Sequence, residues 1–370
     1  MNAQNWQPYE SDDFKQPVIN PIGIPSIATD LNGIPYVAFT DIGNNNKVCV
    51  RKYINNNWVN LGSPCFPSGF TEKPSIVIST NGTPFILCSD FANDKKATVM
   101  KFNGSNWINV GNPGFTSCYS SNYLAVDSAE TPYVLFKDSL FNNKLTLMKF
   151  NGTNWIYVGS PGVFAINSQL YTLALNPIGL PYIAYVEYKY SYGTYNNVYN
   201  LKVKRFNANS WENVGDSIEF TTQTSSNISL AISPNGIPYL CCFNDNVNFV
   251  KKLDGNNWVN VGQSIEINGN ITYSKLSFWG NTPIISYKAD YTNATIKVKN
   301  FNGSNWVNIG SVNPTNEILT YFDFSVNNSG DAFVIYTPIA FNYYRRAKVK
   351  KLLGNIWTTL GDTSNVKNIE

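Results

Sequence analysis

The stretch NWVNLG at residues 57–62 decides the fold, because its pattern returns along nearly the whole chain. Each copy has a Trp, two variable residues, then Val, Leu or Ile, and a Gly. The repeated residues are Trp58, Trp107, Trp155, Trp211, Trp258, Trp306 and Trp357, and neighbours in this series are 47 to 56 residues apart. A period near fifty residues is too long for most helical solenoids and indicates a repeated β-sheet unit.

The residues before each Trp predict three further strands. SIATDLNGIPYVAF at 26–39 and its counterparts consist of two short β-rich runs joined by a tight turn, often Asn-Gly, which favours a hairpin. A third run, such as KVCVRKY at 47–53, follows, and a second turn of this kind, as in FNGSNW at 102–107, leads into the Trp strand. Each repeat is therefore predicted to be a four-stranded antiparallel meander with strands a, b, c and d.

Seven such sheets are expected to close into a ring, because closure leaves no unpaired terminal blade and gives every sheet two packing neighbours. The predicted fold is all-β: a seven-bladed β-propeller of four-stranded antiparallel blades, in one domain over residues 1–370. Within residues 1–20, the sequence QNW at 4–6 resembles the start of an extra Trp strand. We expect this segment to act as an N-terminal latch or extra strand on blade seven.

The composition excludes several function classes. A hydrophobic fraction of 43% with 14% charged residues indicates a globular protein, and the scattered charges, net +3, predict no nucleic-acid binding. We see no signal peptide or transmembrane segment, so no membrane insertion is expected, and the protein is expected in the cytoplasm or on a surface or particle reached by another route. Histidine is absent, which removes the commonest general base and metal ligand; no cofactor and no metal are predicted.

The repeat resembles the large class of repeat propellers, including kelch-like rings related to galactose oxidase and the seven-bladed bacterial lectins. The resemblance is one of architecture, because the paired glycines of kelch repeats and the Asp of the sialidase Asp-box are missing. Galactose oxidase binds copper partly through histidines, and sialidases use three convergent arginines; this chain has no His and only Arg51, Arg205, Arg345 and Arg346. The expectation is therefore that the protein is not an enzyme.

Binding residues are expected on the face formed by the b–c and d–a loops, because these segments vary in length while the a–b and c–d turns are nearly uniform. The longest b–c loop, in blade four, carries Tyr188, Tyr190, Tyr192 and Tyr195. Tyr rings with a hydroxyl suit sugar rings or protein partners. The equivalent loop of blade seven is predicted to hold Tyr343, Tyr344 and Arg345, followed by Arg346. In both loops the alternative is that the side chains only pack locally.

Acidic residues recur where strand b ends, six residues after a repeated Pro: Asp41, Asp90, Asp138 and Glu187. Such carboxylates could bind sugar hydroxyls or a hard cation. The alternative is that they cap local backbone amides, which is the more common role.

The repeated Trp residues and most cysteines are predicted to be structural. Regular placement is what packing between blades requires, although aromatic residues repeated in every blade would also suit a multivalent lectin. Cys88 and Cys242 fall at equivalent core positions, whereas Cys65 and Cys118 lie in successive loops and could form a disulfide in an oxidising compartment.

These observations predict a non-enzymatic binding module that presents a loop-rich face to a glycan, as a lectin does, or to a protein partner. The alternative is a structural or assembly component of a larger particle or surface layer, in which the propeller is a scaffold.

Overall fold

The computed structural model describes residues 14–17, 25–41, 46–63, 71–117, 123–162, 164, 170–190, 197–220, 227–244, 247–266, 273–289, 295–312, 318–339, 344–353 and 356–360. These residues form seven antiparallel sheets, so the predicted all-β fold of seven four-stranded blades is confirmed. The helical content of the described residues is limited to short 3₁₀ turns such as Phe91–Asn93 and Ser139–Phe141. No helix in this part of the chain is long and apolar enough to cross a membrane.

The strands follow the repeat in order, four to a blade. Blades one and two contain β2 (Ser26–Thr29), β3 (Pro35–Asp41), β4 (Lys47–Ile54), β5 (Asn57–Asn60), β6 (Thr71–Ile78), β7 (Pro84–Asp90), β8 (Lys96–Phe102) and β9 (Trp107–Asn109). Blades three and four contain β10 (Tyr123–Val126), β11 (Pro132–Asp138), β12 (Lys144–Phe150), β13 (Trp155–Tyr157), β14 (Tyr171–Leu175), β15 (Pro181–Tyr190), β16 (Asn197–Asn207) and β17 (Ser210–Asn213). Blades five to seven contain β19 (Ile228–Ile232), β20 (Pro238–Asn244), β21 (Val247–Asp254), β22 (Asn257–Asn260), β24 (Ser274–Trp279), β25 (Thr282–Ala289), β26 (Thr295–Phe301), β27 (Trp306–Val312), β28 (Ile318–Val326), β29 (Ala332–Ile339), β30 (Tyr344–Leu353) and β31 (Ile356–Thr359).

Three short strands lie outside this repeat and extend the edges of blades. β18 (Ile218–Phe220) pairs with β16, and β23 (Ile265–Glu266) pairs with β21, so the segment after strand d returns along strand c. In blade seven the equivalent position beside strand c is occupied by β1 (Phe14–Pro17), which pairs with residues Tyr344–Ala347 of β30. A strand from the beginning of the chain therefore joins the last blade.

The core consists of seven apolar layers, one between each pair of adjacent blades. Strand b is buried along its whole length in blade two, where every residue of Pro84–Asp90 is buried, because both faces of the strand contact a neighbouring blade. The seventh layer joins blade one to blade seven: Val37 and Phe39 pack with Phe333 and Ile335. The ring is therefore closed, and each fully buried Phe or Ile contributes about 1.5–3 kcal/mol of apolar burial.

The repeated Trp of one blade and the repeated Gly of the preceding blade form the outer part of the seam, as Trp155 and Gly111 do. The Trp155 Nε1 donates a hydrogen bond to the Val110 carbonyl of the preceding blade, 2.9 Å away, and the same bond is made by Trp58, Trp107, Trp211, Trp258 and Trp306. Gly111, next to that carbonyl, has a φ of +71°, and a Cβ there would lie 2.8 Å from Phe150 Cε2. Only Gly allows both this backbone conformation and this close approach.

Blade six departs from this arrangement. Its glycine, Gly310, lies inside the extended strand β27, and among the described residues the buried Nε1 of Trp357 has no hydrogen-bond partner. The turn that presents a carbonyl to the next Trp in the other blades is missing at this seam.

Cysteines mostly fill the core, as predicted. Cys88, Cys241 and Cys242 are free and buried. Cys49 is disulfide-bonded. Cys65, Cys118 and residues 4–6 lie outside the described residues.

Candidate functional site

The innermost strands place one residue of each blade at the same level around the central channel. The ring residues, as we call this set, each pair with the third residue after the repeated Pro of strand b, or after Ala332, which stands in its place in blade seven. Ser26, for example, pairs with Ala38, and Lys275 pairs with Ser286. The seven ring residues are Ser26, Ser75, Tyr123, Thr172, Ser229, Lys275 and Asp323. Five therefore carry hydroxyl groups, and the adjacent blades six and seven supply one cation and one anion.

The Asp323 carboxylate is already saturated with donors. Its Oδ2 accepts hydrogen bonds from Ser26 Oγ (3.0 Å) and the Ile27 amide (2.9 Å), and its Oδ1 accepts from the Phe324 amide (2.8 Å) and Lys275 Nζ (2.5 Å). A carboxylate offers about four acceptor positions, so none remains for a ligand. Asp323 therefore joins blades six, seven and one and holds the Lys275 ammonium in place.

Lys275, Ser75 and Thr172 retain hydrogen-bonding capacity toward the channel. An ammonium group has three donors, and the described contacts of Lys275 occupy one of them. The hydroxyl groups of Ser75 and Thr172 have no hydrogen bond among the described residues. By contrast, the Ser229 hydroxyl accepts from the Leu276 amide of the next blade at 2.9 Å.

Two tyrosines from different blades line the channel mouth. Tyr123, from blade three, is 36% exposed, but its exposed surface lines the cavity, and burial raises the pKa of its phenol. Tyr273, from blade six, has a pKa raised well above its ordinary value, first by burial and then by the charges of Asp323 and Tyr123. Both phenols therefore stay protonated, and act as hydrogen-bond donors, well above neutral pH.

These residues line a cavity of about 530 Å³. The lining includes Pro25, which directly precedes β2, Pro74, in the first half of β6, and Tyr123 and Tyr273, near the starts of strands a in blades three and six. The cavity therefore lies at the end of the channel where the d–a segments enter, the face on which binding was expected. Its volume falls within the roughly 300–1,000 Å³ usual for small-molecule sites.

The predicted acidic residues lie one per blade at the ends of strands b, and the structure does not gather them into one cluster. Asp90 accepts hydrogen bonds from the Ala92 amide (3.0 Å) and Thr98 Oγ1 (3.2 Å). Asp138 accepts from the Leu140 amide (3.1 Å) and Ser117 Oγ (2.6 Å). These two carboxylates cap 3₁₀ turns.

The other two acids have different neighbours. Glu187 forms an ion pair with Lys202 on the neighbouring strand, and Asp41 Oδ2 lies 3.6 Å from Cys49 Sγ. Among the residues that the structure describes, no group of three or more acidic or Cys side chains is placed to hold a metal ion.

The tyrosine-rich segment of blade four forms a long hairpin. β15 and β16 pair out to Tyr190 and Asn197, beyond the length of strands b and c in most blades. Tyr188 is 42% exposed and its ring packs 5.4 Å from that of Tyr199. The side chain of Tyr190, and Tyr192 and Tyr195 altogether, lie outside the described part of the chain.

In blade seven the sequence placed Tyr344, Arg345 and Arg346 in a loop, and the structure places them in strand β30. Their partners are Pro17, Gln16 and Lys15 of β1. The sequence analysis expected an extra strand from residues 1–20 at blade seven, but not these partners, because β1 lies more than three hundred residues from β30 in the chain. Tyr343 lies outside the described residues.

Sequence reasoning missed the ring residues, although the signal was present. In the aligned repeats they precede the first apolar residue of SIAT, SIVI, YLAV, TLAL, SLAI, KLSF and DFSV. These seven aligned positions form the wall of one cavity, with one ion pair, only once the seven innermost strands are arranged around a common axis.

Comparison with known proteins supports the fold and leaves the family open. No family model matches the chain, and no curated protein does. Among solved structures, an ulvan lyase, a polysaccharide lyase, superposes with a TM-score of 0.61 at 14% identity, over 94% of this chain and 96% of that one. The fucose-binding lectin of Aleuria aurantia in complex with Fucα1-6GlcNAc gives 0.53 at 15% identity, over 96% and 100%. The SapL1 lectin in complex with α-methyl fucoside gives 0.53 at 13%, over 78% and 95%.

The first of these neighbours corrects one expectation. Absent histidines and missing enzyme motifs led us to predict that the protein is not an enzyme, and this conclusion was wrong, because a polysaccharide lyase is built on the same architecture over nearly the whole chain. At such identities the likeness establishes the propeller fold, which lyases and lectins share.

Proposed function

We propose that this protein binds a glycan at the mouth of its central channel, on the face of the b–c and d–a loops. The observation that carries the proposal is the ring of seven equivalent residues: hydroxyl groups from five blades face one cavity together with the Lys275 ammonium. Sugars present hydroxyl groups at fixed intervals, and a site with several converging donors and acceptors beside aromatic rings suits them. That both kinds of similar structure, a polysaccharide lyase and fucose-binding lectins, act on carbohydrates supports this choice.

A second candidate is cleavage of the bound polysaccharide at the same cavity. It is favoured because two protonated phenols, Tyr123 and Tyr273, line the same cavity as the Lys275–Asp323 ion pair, and bond cleavage in a glycan requires proton donors near the reacting atoms.

A binding screen on a glycan array, followed by titration of the best ligand, tests both candidates. Thr172→Val removes a hydroxyl group that has no partner in the protein and keeps its shape. We expect this variant to bind the ligand about threefold to tenfold more weakly, which corresponds to one neutral hydrogen bond. Tyr188→Ala, on the blade-four hairpin, shows in the same assay whether this hairpin contributes to glycan binding.

The products decide between binding and cleavage. If incubation with the bound polysaccharide yields shorter chains, and Tyr123→Phe abolishes this while ligand binding persists, the cavity is an active site. If no glycan binds the native protein, or if Thr172→Val binds as well as the native protein, the channel is not the glycan site.

A further inference from the structure

A second cavity lies on the opposite face of the ring, in the cleft between blades five and six. It is about 710 Å³ in volume and is lined by Lys252 and Asn260 of blade five and by Trp279, Asn281 and Asn302 of blade six. These residues come from or adjoin the a–b and c–d turns. The cleft is thus separated from the channel mouth by the depth of the propeller.

Trp279 gives the cleft an accessible aromatic surface. It stands at the a–b turn of blade six, which is one residue shorter than its equivalents, and it is 45% exposed. One part of the indole lies on Gly330 of blade seven, where an added Cβ would come within 2.5 Å of Trp279 Cε2. The ring is therefore fixed in position while much of its surface remains open.

Three side chains of the cleft offer donors whose partners are not found among the described residues. Asn260 Oδ1 accepts from Lys251 Nζ, and Asn302 Oδ1 accepts from two backbone amides, so the side-chain NH₂ groups of both residues remain to donate. Lys252 has no ion-pair partner among the described residues, and the lining holds no carboxylate. These donors favour a ligand with acceptor oxygens, and a negative charge on the oxygens strengthens each bond.

The equivalent cleft between blades two and three provides an internal comparison. It has a matching lysine, Lys101, and a matching asparagine, Asn151, but Glu130 stands where blade six has Asn281. Side-chain hydrogen bonds from Thr83, and then from Ser79 (2.8 Å) and Asn81, lower the pKa of Glu130, so that cleft carries its own anion. The two clefts therefore differ in charge, because the one between blades two and three carries a carboxylate at the position that Asn281 occupies in the other.

We infer that the cleft between blades five and six binds a saccharide unit that carries a sulfate or carboxylate group. The apolar face of the sugar ring packs on Trp279, and the anionic oxygens accept from Lys252 Nζ and the asparagine amides. The site is independent of the channel site, and together the two allow one molecule to hold two glycan chains on opposite faces.

Titration with a sulfated, uronic-acid-containing oligosaccharide derived from heparin, and with a neutral cello-oligosaccharide of equal length, tests this site. We expect the acidic probe to bind more tightly and to weaken as ionic strength rises, because the cleft is open to solvent. Lys252→Met is expected to weaken its binding about tenfold to a hundredfold, the loss of a charge-assisted hydrogen bond. Asn281→Glu installs the carboxylate of the other cleft and is expected to cause a similar loss.

Lys101→Met is the matched control, in the equivalent cleft, and should bind the acidic probe like the native protein. Thr172→Val reports separately on binding of the probe in the channel. Circular dichroism spectra of all variants establish that they are folded. Trp279→Phe tests the aromatic surface of the cleft, and it disturbs the packing on Gly330 less than removal of the ring would. If the acidic probe does not bind, or if only Thr172→Val weakens it, the inference about this cleft is overturned, and in the latter case the channel site stands. If inorganic sulfate at equal concentration competes as well as the oligosaccharide, the cleft recognises the anion alone and not a sugar.

Discussion

At the scale of single residues, the repeated Trp is a connector between blades. In each of six seams the indole N–H donates to a carbonyl of the preceding blade, at 2.7 to 3.3 Å. The sequence predicted this structural role from regular spacing alone, since seven identical seams need seven identical contacts. What spacing could not predict is the exception at Trp357, because that depends on the backbone conformation of Gly310.

This exception allows a direct comparison of two substitutions. Trp155→Phe removes the bond to the Val110 carbonyl and leaves that buried acceptor unpaired, so we expect a loss of about 1–3 kcal/mol in the free energy of unfolding beyond the effect of the smaller ring. Trp357→Phe removes an N–H group that has no partner among the described residues, so its loss in the free energy of unfolding should be smaller. Urea denaturation of the two variants measures the difference; equal losses would contradict the assigned role of the indole bond.

Burial of the free thiols has a consequence for reactivity. Burial raises the pKa of Cys88 and of Cys241 to about 12, so at neutral pH almost no thiolate is present in the folded protein. We expect these two residues to resist alkylation by iodoacetamide until the protein is unfolded, as read by peptide mass spectrometry. Because the folded state holds these protons more tightly than the unfolded state, stability should fall as pH rises above the ordinary thiol value of 9.0. Rapid labelling of the native protein at pH 7 would show that the two thiols are accessible.

At the scale of elements, the four repeated strands of each blade and their turns could be predicted far better than the additional strands at the edges of the blades. The Asn-Gly turns and alternating runs specify each meander locally, and the side chains that cap the turns, such as Asp30 with the amides of Asn32 and Ile34, lie within the same few residues. The additional strands β18 and β23 lie in variable segments, where no repeat reveals a partner. For β1, the sequence indicated an extra N-terminal strand at blade seven but not its residues or its register with β30, because that pairing joins distant parts of the chain.

The pairing of β1 predicts the effect of a truncation. Deletion of residues 1–17 removes β1 and leaves the edge of β30 from Tyr344 to Ala347 without its partner. We expect a lower urea midpoint and faster amide hydrogen exchange confined to blade seven. Exchange that is unchanged in β30 would mean that β1 does not stabilise this blade.

At the scale of the whole molecule, the channel ring combines closure of the propeller with the candidate site. Asp323 receives bonds from blades six and one while it lies in blade seven, so the residue that orients Lys275 also joins the first and last blades. The site could not be predicted from any one repeat, because its residues are spread at one per blade over about three hundred positions.

Asp323→Ala is expected to affect the seam as well as the site. It leaves the Ile27 amide and Lys275 without their acceptor, and we expect a loss of about 1–3 kcal/mol with faster hydrogen exchange in β2 and β28. Asp127→Ala is the control, since the backbone amides that Asp127 caps, those of Ala129 and Thr131, belong to its own turn, and exchange should rise only around β10 and β11. Identical exchange patterns in the two variants would exclude Asp323 as the connection between blades.

The seam between blades six and seven differs in kind from the other six. It lacks the indole bond, and among the described residues it alone is crossed by an ion pair, Lys275 with Asp323. The indole bond joins uncharged groups, whereas an ion pair at a channel wall responds to dissolved ions and to charged ligands. The closed propeller therefore has one contact between blades whose strength depends on the ionic strength and on charged ligands. A glycan bound at Lys275 would alter that contact directly.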